Sequence, residues 1–266
     1  MGTATSETLG GMPAPLSDNG SSPILYAPMR VSVVLPCLDE VGGVVATVQE
    51  ALQVLHSAGL SGEVIVVDNG SSDDSAAAAA AVGATVVWEL RQGYGMAIRR
   101  GLQTARGDVI VLADADSSYD LRQLGELVKR IAQGADIVVG TRSSDRVEAG
   151  AMPWLHHRVG IPALNLLLAM ATGRWFRDSQ SGFRAFRREP LIYLGCTAAG
   201  MEFASEMLLV AHRAGLRIEE VPVRYRRRAG ASKLRPVGDG LRHCRLLFRL
   251  AAGNQVTRST RYRLSS

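Results

Sequence analysis

The chain has 266 residues, 47% of them hydrophobic and 21% charged, with a formal net charge of +5. That composition excludes an intrinsically disordered, collagen-like or disulfide-scaffold protein, and the length suffices for one large core or two small ones. Three cysteines, Cys37, Cys196 and Cys244, are odd in number and far apart, which predicts reduced thiols in a cytoplasmic compartment and no disulfide frame.

Residues 1–29 are rich in Gly, Ser, Ala and Pro, lack a basic-then-apolar signal layout, and read as a disordered tail. From Arg30 the pattern alternates: strands are predicted at 31–35, 63–67, 84–88, 108–113 and 137–140, with helices at 41–57, 72–81, 94–105 and 121–132 between them. Strands with little internal alternation, separated by helices, predict a parallel sheet covered on both faces, with ligands at the carboxyl ends of its strands. The polar residues fall there, at 36–40, 68–71 and 114–116. Beyond 140 the pattern predicts an amphipathic helix at 153–171, a strand at 183–186, a helix at 201–214 and one or two edge strands at 217–225. The last helix, 238–250, has Leu241, Cys244, Leu247 and Phe248 on one side and Arg242, Arg245 and Arg249 on the other. No run reaches the roughly 18 apolar residues of a spanning helix. Twelve of the thirty Lys and Arg lie after Val221, where Asp239 is the only acid, so the expected partner is anionic: phosphates, a lipid surface or nucleic acid.

Asp114-Ala115-Asp116 follows directly on the apolar run 109–113. Alternation along extended chain puts residues i and i+2 on one side, so both acids are expected to face one point. Two like charges held that close repel, and a hard divalent ion completed by substrate phosphates is the usual remedy. Solvated acids at a polar strand end are the plain alternative. Asp68-Asn69-Gly70-Ser71 forms a turn opening a helix, with Ser72 and Asp73 placed to cap its first turn. An acid there can accept from a nucleobase N–H, and a helix start favours anions. Gln92-Gly93-Tyr94-Gly95 offers close backbone approach after the third strand.

In this order and spacing, LPCLDE, VVDNGSSDD, RQGYGMAIRRG, LADAD, VVGTR and DSQSGFRAFRR resemble the family 2 glycosyltransferases. These have a GT-A fold, a Rossmann-like, mostly parallel α/β sheet with helices on both faces. RRRAGASKL resembles the polyprenyl-phosphate hexosyltransferase branch, the dolichyl-phosphate mannose and glucose synthase type. The resemblance covers about residues 30–250 and implies a GT-A domain over 30–235, followed by a basic amphipathic helix and tail over 236–266.

The resemblance implies a nucleotide pocket made by Pro36, Cys37, Leu38 and Glu40, with Asp68 reading the base and Gly93 close to the nucleotide. Asp114 would contact ribose or sugar, and Asp116 would bind Mg²⁺ or Mn²⁺ bridging the diphosphate of a UDP- or GDP-hexose. Arg142 and Arg158 match arginines that hold an acceptor phosphate. The turn Ser181, Gly182, Phe183, Arg184, preceded by Asp178, would close the sugar side, and Glu206 would face the same cavity. Arg227 or Arg228, with Ser232 and Lys233, would fold over the diphosphate. Ser117-Ser118-Tyr119-Asp120 departs from the family pattern after D-x-D, leaving Ser118 as a partial substitute for a metal contact.

A metal ion and Lys233 would supply fixed charge to the leaving diphosphate. An acceptor phosphate monoester, with a second pKa of about 6, is already anionic near neutral pH and needs arginines rather than a base. His156 and His157 read as interfacial helix residues. Direct displacement predicts inversion at the anomeric carbon. A transferase of the same fold acting on a soluble hydroxyl acceptor, a natural product or sugar, would need a carboxylate base from Asp178, Glu202 or Glu206. A nucleotidyltransferase would carry a glycine-rich Arg/Lys loop that LPCLDEVGG lacks, and a nucleic-acid binder would leave the ordered acids unexplained, so no nucleic-acid partner is expected. The amphipathic stretches 154–170 and 238–250 predict a cytoplasmic protein held peripherally on an anionic inner membrane face.

Overall fold

The computed structural model describes residues 29–154, 156–230 and 236–252. The first half alternates as expected: β1 (Val31–Cys37), α1 (Val41–Ser57), β2 (Gly62–Asp68), α2 (Ser75–Ala81), β3 (Thr85–Trp88), α3 (Tyr94–Thr104), β4 (Val109–Leu112), α4 (Leu124–Ala132) and β5 (Ile137–Thr141). The second half comprises α5 (Ile161–Thr172), β6 (Arg184–Arg187), α6 (Arg188–Tyr193), α7 (Phe203–Arg213), β7 (Ile218–Pro222) and α8 (Pro236–Ala252). The strands form one sheet in the order β3-β2-β1-β4-β6-β5-β7, parallel except for β6, which runs antiparallel to both β4 and β5.

Both faces of the sheet are covered, which is why β4 is buried at every position. Val109 and Val111 face α1 and α4, packing with Val44, Val48, Leu124 and Leu127. Ile110 and Leu112 face α3 and α7, packing with Ile98, Phe203 and Met207. Every parallel strand therefore delivers its exit loop to one edge of the sheet, and the antiparallel β6 brings its start to that same edge.

Three local expectations change. The helix expected over 153–171 is not uniform: a wider π-type stretch at His156–Gly160 runs directly into α5. Pro162, which has no N–H to donate, falls in the first turn of α5, next to the junction with the wider stretch. Nor is α5 cleanly amphipathic, since Leu166 and Met170 are exposed while Asn165 is buried. Residues 217–225 give one edge strand, β7, within the one or two expected, after which Tyr225 bridges to Tyr119 and Val147. Helix α6 was not expected; Pro190 falls in its first turn, where a proline is tolerated. The tail expected at 1–29 lies almost wholly outside the described residues, as do 253–266.

Candidate active site

The exits of β1 and β2 are tied together by side chains. Ser71 Oγ accepts from the Asp39 N–H (3.0 Å), Ser75 Oγ from the Glu40 N–H (2.8 Å) and Asp73 Oδ2 from the Val41 N–H (3.1 Å). Asp73 Oδ1 also accepts from the Ser75 N–H (3.0 Å), so this cap serves the starts of two helices. Asn69 donates to the carbonyls of Glu89 (2.8 Å) and Arg91 (3.0 Å) and accepts from the Gly93 N–H (2.7 Å), fixing Gly93 beside the end of β2. Asp68 is the last residue of that strand and is buried. Its Oδ2 accepts a long bond from the Ser71 N–H (3.4 Å), while Oδ1 is buried with no hydrogen-bond partner. Leaving an acceptor so costs about 1–3 kcal/mol, so the pocket suits a ligand N–H. Cys37 lies alongside: burial pushes its thiol up to about 11, and the Asp68 and Glu40 charges add to the rise.

The two acids lie beyond the end of β4, in a turn whose next residue, Ser117, is left-handed (φ 63°). The alternation argument required extended chain there, so it reaches the right neighbours through the wrong geometry. Burial first, and the Asp116 charge second, push the Asp114 carboxyl up to about 7 against the pull of Arg142 and Arg228. The Tyr94 hydroxyl donates to Asp114 Oδ1 at 3.5 Å. Gly182 presses on the same carboxylate: a Cβ there would stand 2.7 Å from Oδ1, so the SGFR turn can approach only as glycine. Asp116 Oδ1 accepts from the Ser118 N–H (3.0 Å), and its Oδ2 lies 3.4 Å from Arg228 Nε. Arg228 Nη2 also donates to Glu40 Oε1 (2.6 Å), so this guanidinium spans Glu40 and Asp116.

Spacing left Arg227 and Arg228 as alternatives; the structure separates them. Arg227 turns out of the site, its N–H donating to Glu148 Oε2 (2.9 Å) and its Nε to the Ala149 carbonyl (2.8 Å). Ser118 is wholly buried, with its hydroxyl beside Tyr225. Ser232 and Lys233 lie outside the described residues.

On the other side of the acids, Arg142 and Asp178 form a buried bidentate pair, Nε to Oδ2 2.7 Å and Nη2 to Oδ1 2.9 Å. Burial works against both charges, yet Arg142 holds Asp178 below the usual carboxylate range and Asp178 keeps the guanidinium firmly charged. Arg142 also lies 5.3 Å above the Tyr225 ring. Tyr119, which the sequence reading overlooked, locks the acid turn to the SGFR turn: its hydroxyl oxygen accepts from the Gly182 N–H (2.8 Å), and its ring packs on Phe183 and Tyr225. Arg184 was expected at the ligand. Its guanidinium is instead buried and donates to the carbonyls of Ser181 (2.8 Å), Ser179 (2.7 Å) and Ala204 (2.9 Å), so it braces the turn from behind. Arg158 is exposed and makes no ion pair among the described residues. The three carboxylates considered as bases are all engaged: Asp178 by Arg142, Glu202 by the Gly200 N–H (3.1 Å) and Arg242 (3.4 Å), and Glu206 by the Thr197 and Ala198 N–H groups (3.0 and 2.7 Å).

Among the described residues no three His, Cys, Asp or Glu side chains converge as a closed metal cage. Two adjacent carboxylates, one of them raised by burial and then by the other's charge, instead match an open oxygen donor set that Mg²⁺ or Mn²⁺ completes with phosphates. Among the described residues no helix is long and apolar enough to cross a membrane.

The profile of glycosyl transferase family 2 matches residues 32–195. The chain belongs to that family. This transferase is 37% identical over 224 residues to a low-salt glycan biosynthesis hexosyltransferase, Agl6, of Haloferax volcanii, covering 84% of this chain and 54% of that protein, so it spans about half that relative's length. It is 36% identical over 180 residues to a dolichyl-phosphate hexose transferase of the same organism, covering 67% of this chain and 76% of that one. Among solved structures, glucosyl-3-phosphoglycerate synthase of Mycobacterium tuberculosis with Mn²⁺, uridine diphosphate and glucosyl-3-phosphoglycerate aligns with a TM-score of 0.68 at 26% identity, covering 90% of this chain and 87% of that one. The transferase thus has the GT-A fold, and the nucleotidyltransferase reading falls away.

Proposed function

We propose that the transferase moves a hexose from a nucleoside diphosphate to a polyprenyl phosphate by a single inverting displacement. The observation that carries the acceptor assignment is the engagement of Asp178, Glu202 and Glu206, which leaves none of the three free to deprotonate a hydroxyl. A phosphate arrives already ionised, so the residues need only hold it. Arg142, fixed at the cleft by Asp178, is placed to share its charge with that phosphate, and Arg158 is available at the start of α5. The dolichyl-phosphate hexose transferase relative supports the same acceptor class.

Asp68 reads the base. Its unpartnered Oδ1 calls for a ring N–H, which uracil and guanine present and adenine and cytosine do not. One free oxygen matches the single N–H of uracil better than the paired donors of guanine, so UDP is preferred over GDP. Asp116, with Asp114 and Ser118 beside it, would hold Mg²⁺ or Mn²⁺, whose charge neutralises the departing diphosphate when bound. Arg228 is in position to transfer from Asp116 to that diphosphate, with Ser232 and Lys233 following in the chain.

The transferase would work at an anionic membrane surface on its cytoplasmic side. Trp154, at 70% exposure, and Met170, at 76%, stand on the α5 side with Leu166 and Trp175, and Arg245 and Arg249 are exposed on α8. Apolar side chains of this kind insert at the headgroup boundary while basic residues meet the anionic lipid.

Incubation with Mn²⁺, a short-chain polyprenyl phosphate and UDP-glucose, UDP-N-acetylglucosamine or GDP-mannose tests the reading. Mass spectrometry should find a glycosyl-phosphoryl lipid from a UDP-sugar, and Asp68→Ala should weaken UDP binding. Transfer to soluble hydroxyl acceptors with no lipid product would refute the acceptor assignment.

A further inference from the structure

Glu206 is a buried carboxylate that makes no ion pair among the described residues, yet both its oxygens accept hydrogen bonds. It projects from α7 and is 3% exposed, and its partners come from one short segment: the Thr197 N–H (3.0 Å), the Thr197 hydroxyl (3.2 Å) and the Ala198 N–H (2.7 Å). Burying a carboxylate is costly unless its hydrogen bonds are made, and charge-assisted bonds to amides fix geometry strongly.

What these bonds fix is next to the nucleotide pocket. The Ala199 carbonyl, one residue further on, accepts from the Met96 N–H in the first turn of α3 (3.2 Å). The same segment lies so close to Gly93 and Gly95 that a Cβ on either would collide with the carbonyls of Ala199 and Ala198. Gly93 in turn donates to Asn69, the neighbour of Asp68, and Tyr94 reaches Asp114. A continuous set of contacts thus runs from Glu206 through residues 197–199 and the start of α3 to both Asp68 and Asp114.

We propose that Glu206 is a positioning residue for the nucleotide: it clamps the 197–199 segment against α3 and so sets the Gly93–Tyr94 wall of the donor pocket. It takes no proton in the reaction and touches no substrate. The proposal rests on the donor reading above and adds to it a clamp that lies in sequence more than a hundred positions from the base-reading turn.

Glu206→Gln keeps the shape and lets the amide oxygen take both backbone N–H groups, but it replaces charge-assisted bonds with weaker neutral ones. In the intact protein with Mn²⁺, calorimetry should show a UDP Kd raised about tenfold, and donor KM should follow, while kcat and acceptor KM stay within about threefold. Amide exchange should quicken at Met96, Thr197 and Ala198 and stay unchanged in α4 and β5, a pattern that general loss of stability would not produce. Thr197→Val removes only the hydroxyl bond at an exposed residue and should raise the UDP Kd about twofold; it decides the matter if the Glu206 variant does not fold. An unchanged UDP Kd in folded Glu206→Gln, or in Thr197→Val where that variant is decisive, overturns the proposal, as does a rise in acceptor KM alone. Asp68→Ala separates the two readings: if it weakens UDP binding and Glu206→Gln does not, only the clamp fails, and if neither does, the donor reading fails with it.

Discussion

Asp178→Ala is expected to destabilise the transferase more than any other single change on the acceptor side. The Arg142 and Asp178 side chains are 7% and 4% exposed, and three hydrogen bonds join the residues, two between side chains and one from the Arg142 N–H to Oδ2 (3.1 Å). Removing one partner leaves a buried charge without compensation, at a cost of about 3–5 kcal/mol. For a chain of this size, that lowers Tm by about 10 °C. Replacing both residues, as Arg142→Met with Asp178→Ala, should cost much less than the sum of the single changes, because no lone charge remains. The pH dependence follows from the depressed Asp178 pKa. The stabilisation is present above the unfolded carboxylate value, about 3.9, and is lost as pH falls through the lower folded value. Thermal melts of wild type and variants at pH 7 and pH 3 test this, with the wild-type advantage narrowing at pH 3. A Tm for Asp178→Ala within about 2 °C of wild type at pH 7 would refute the claim that this pair is dry and fully formed.

Asp116→Ala should abolish transfer and Mn²⁺ binding while the circular dichroism stays native; full activity in EDTA would contradict the metal role. Cys37, buried and with its thiol pushed up to about 11, should resist iodoacetamide at pH 8 until urea unfolds the chain, and rapid labelling of the native protein would show that the 36–40 loop is not packed as described. Sedimentation with anionic liposomes should fall as salt rises and fall again in Arg245→Ser/Arg249→Ser, which avoids Arg242 and its contact with Glu202. No binding at low salt would remove the membrane assignment.

The first half of the fold was legible because each strand there is rich in β-branched residues, and each exit carries residues whose chemistry is local. Asp73 caps the helix beside it, and Asn69 and Asp68 sit in one tetrapeptide. The acceptor half was less legible because its contacts are between distant residues. Nothing periodic links Arg142 to Asp178, or Tyr119 to Gly182, and only the antiparallel insertion of β6 brings them together. Arg227 and Arg228 are chemically identical neighbours, and Glu148 and the Ala149 carbonyl decide which one turns away. Pro162 marks where the wider turn at 156–160 gives way to α5, and Pro190 falls in the first turn of α6, where a proline is tolerated.

The position of β6 also orders events during synthesis. Strands β1 to β4 and the acids that follow them are contiguous in the chain, yet the free edge of β4 has no partner until β6, beginning at Arg184, has been made. At about 5–20 residues per second, that edge stays open on the ribosome for several seconds. An unpaired central strand is a template for pairing with other chains. Substitutions that weaken pairing at 184–187 should therefore lower the soluble yield of newly made protein more than the melting temperature of molecules that have finished folding. The same delay leaves β1 to β4 free to pack first, so that the 68–71 turn forms before Arg142 is fixed by Asp178.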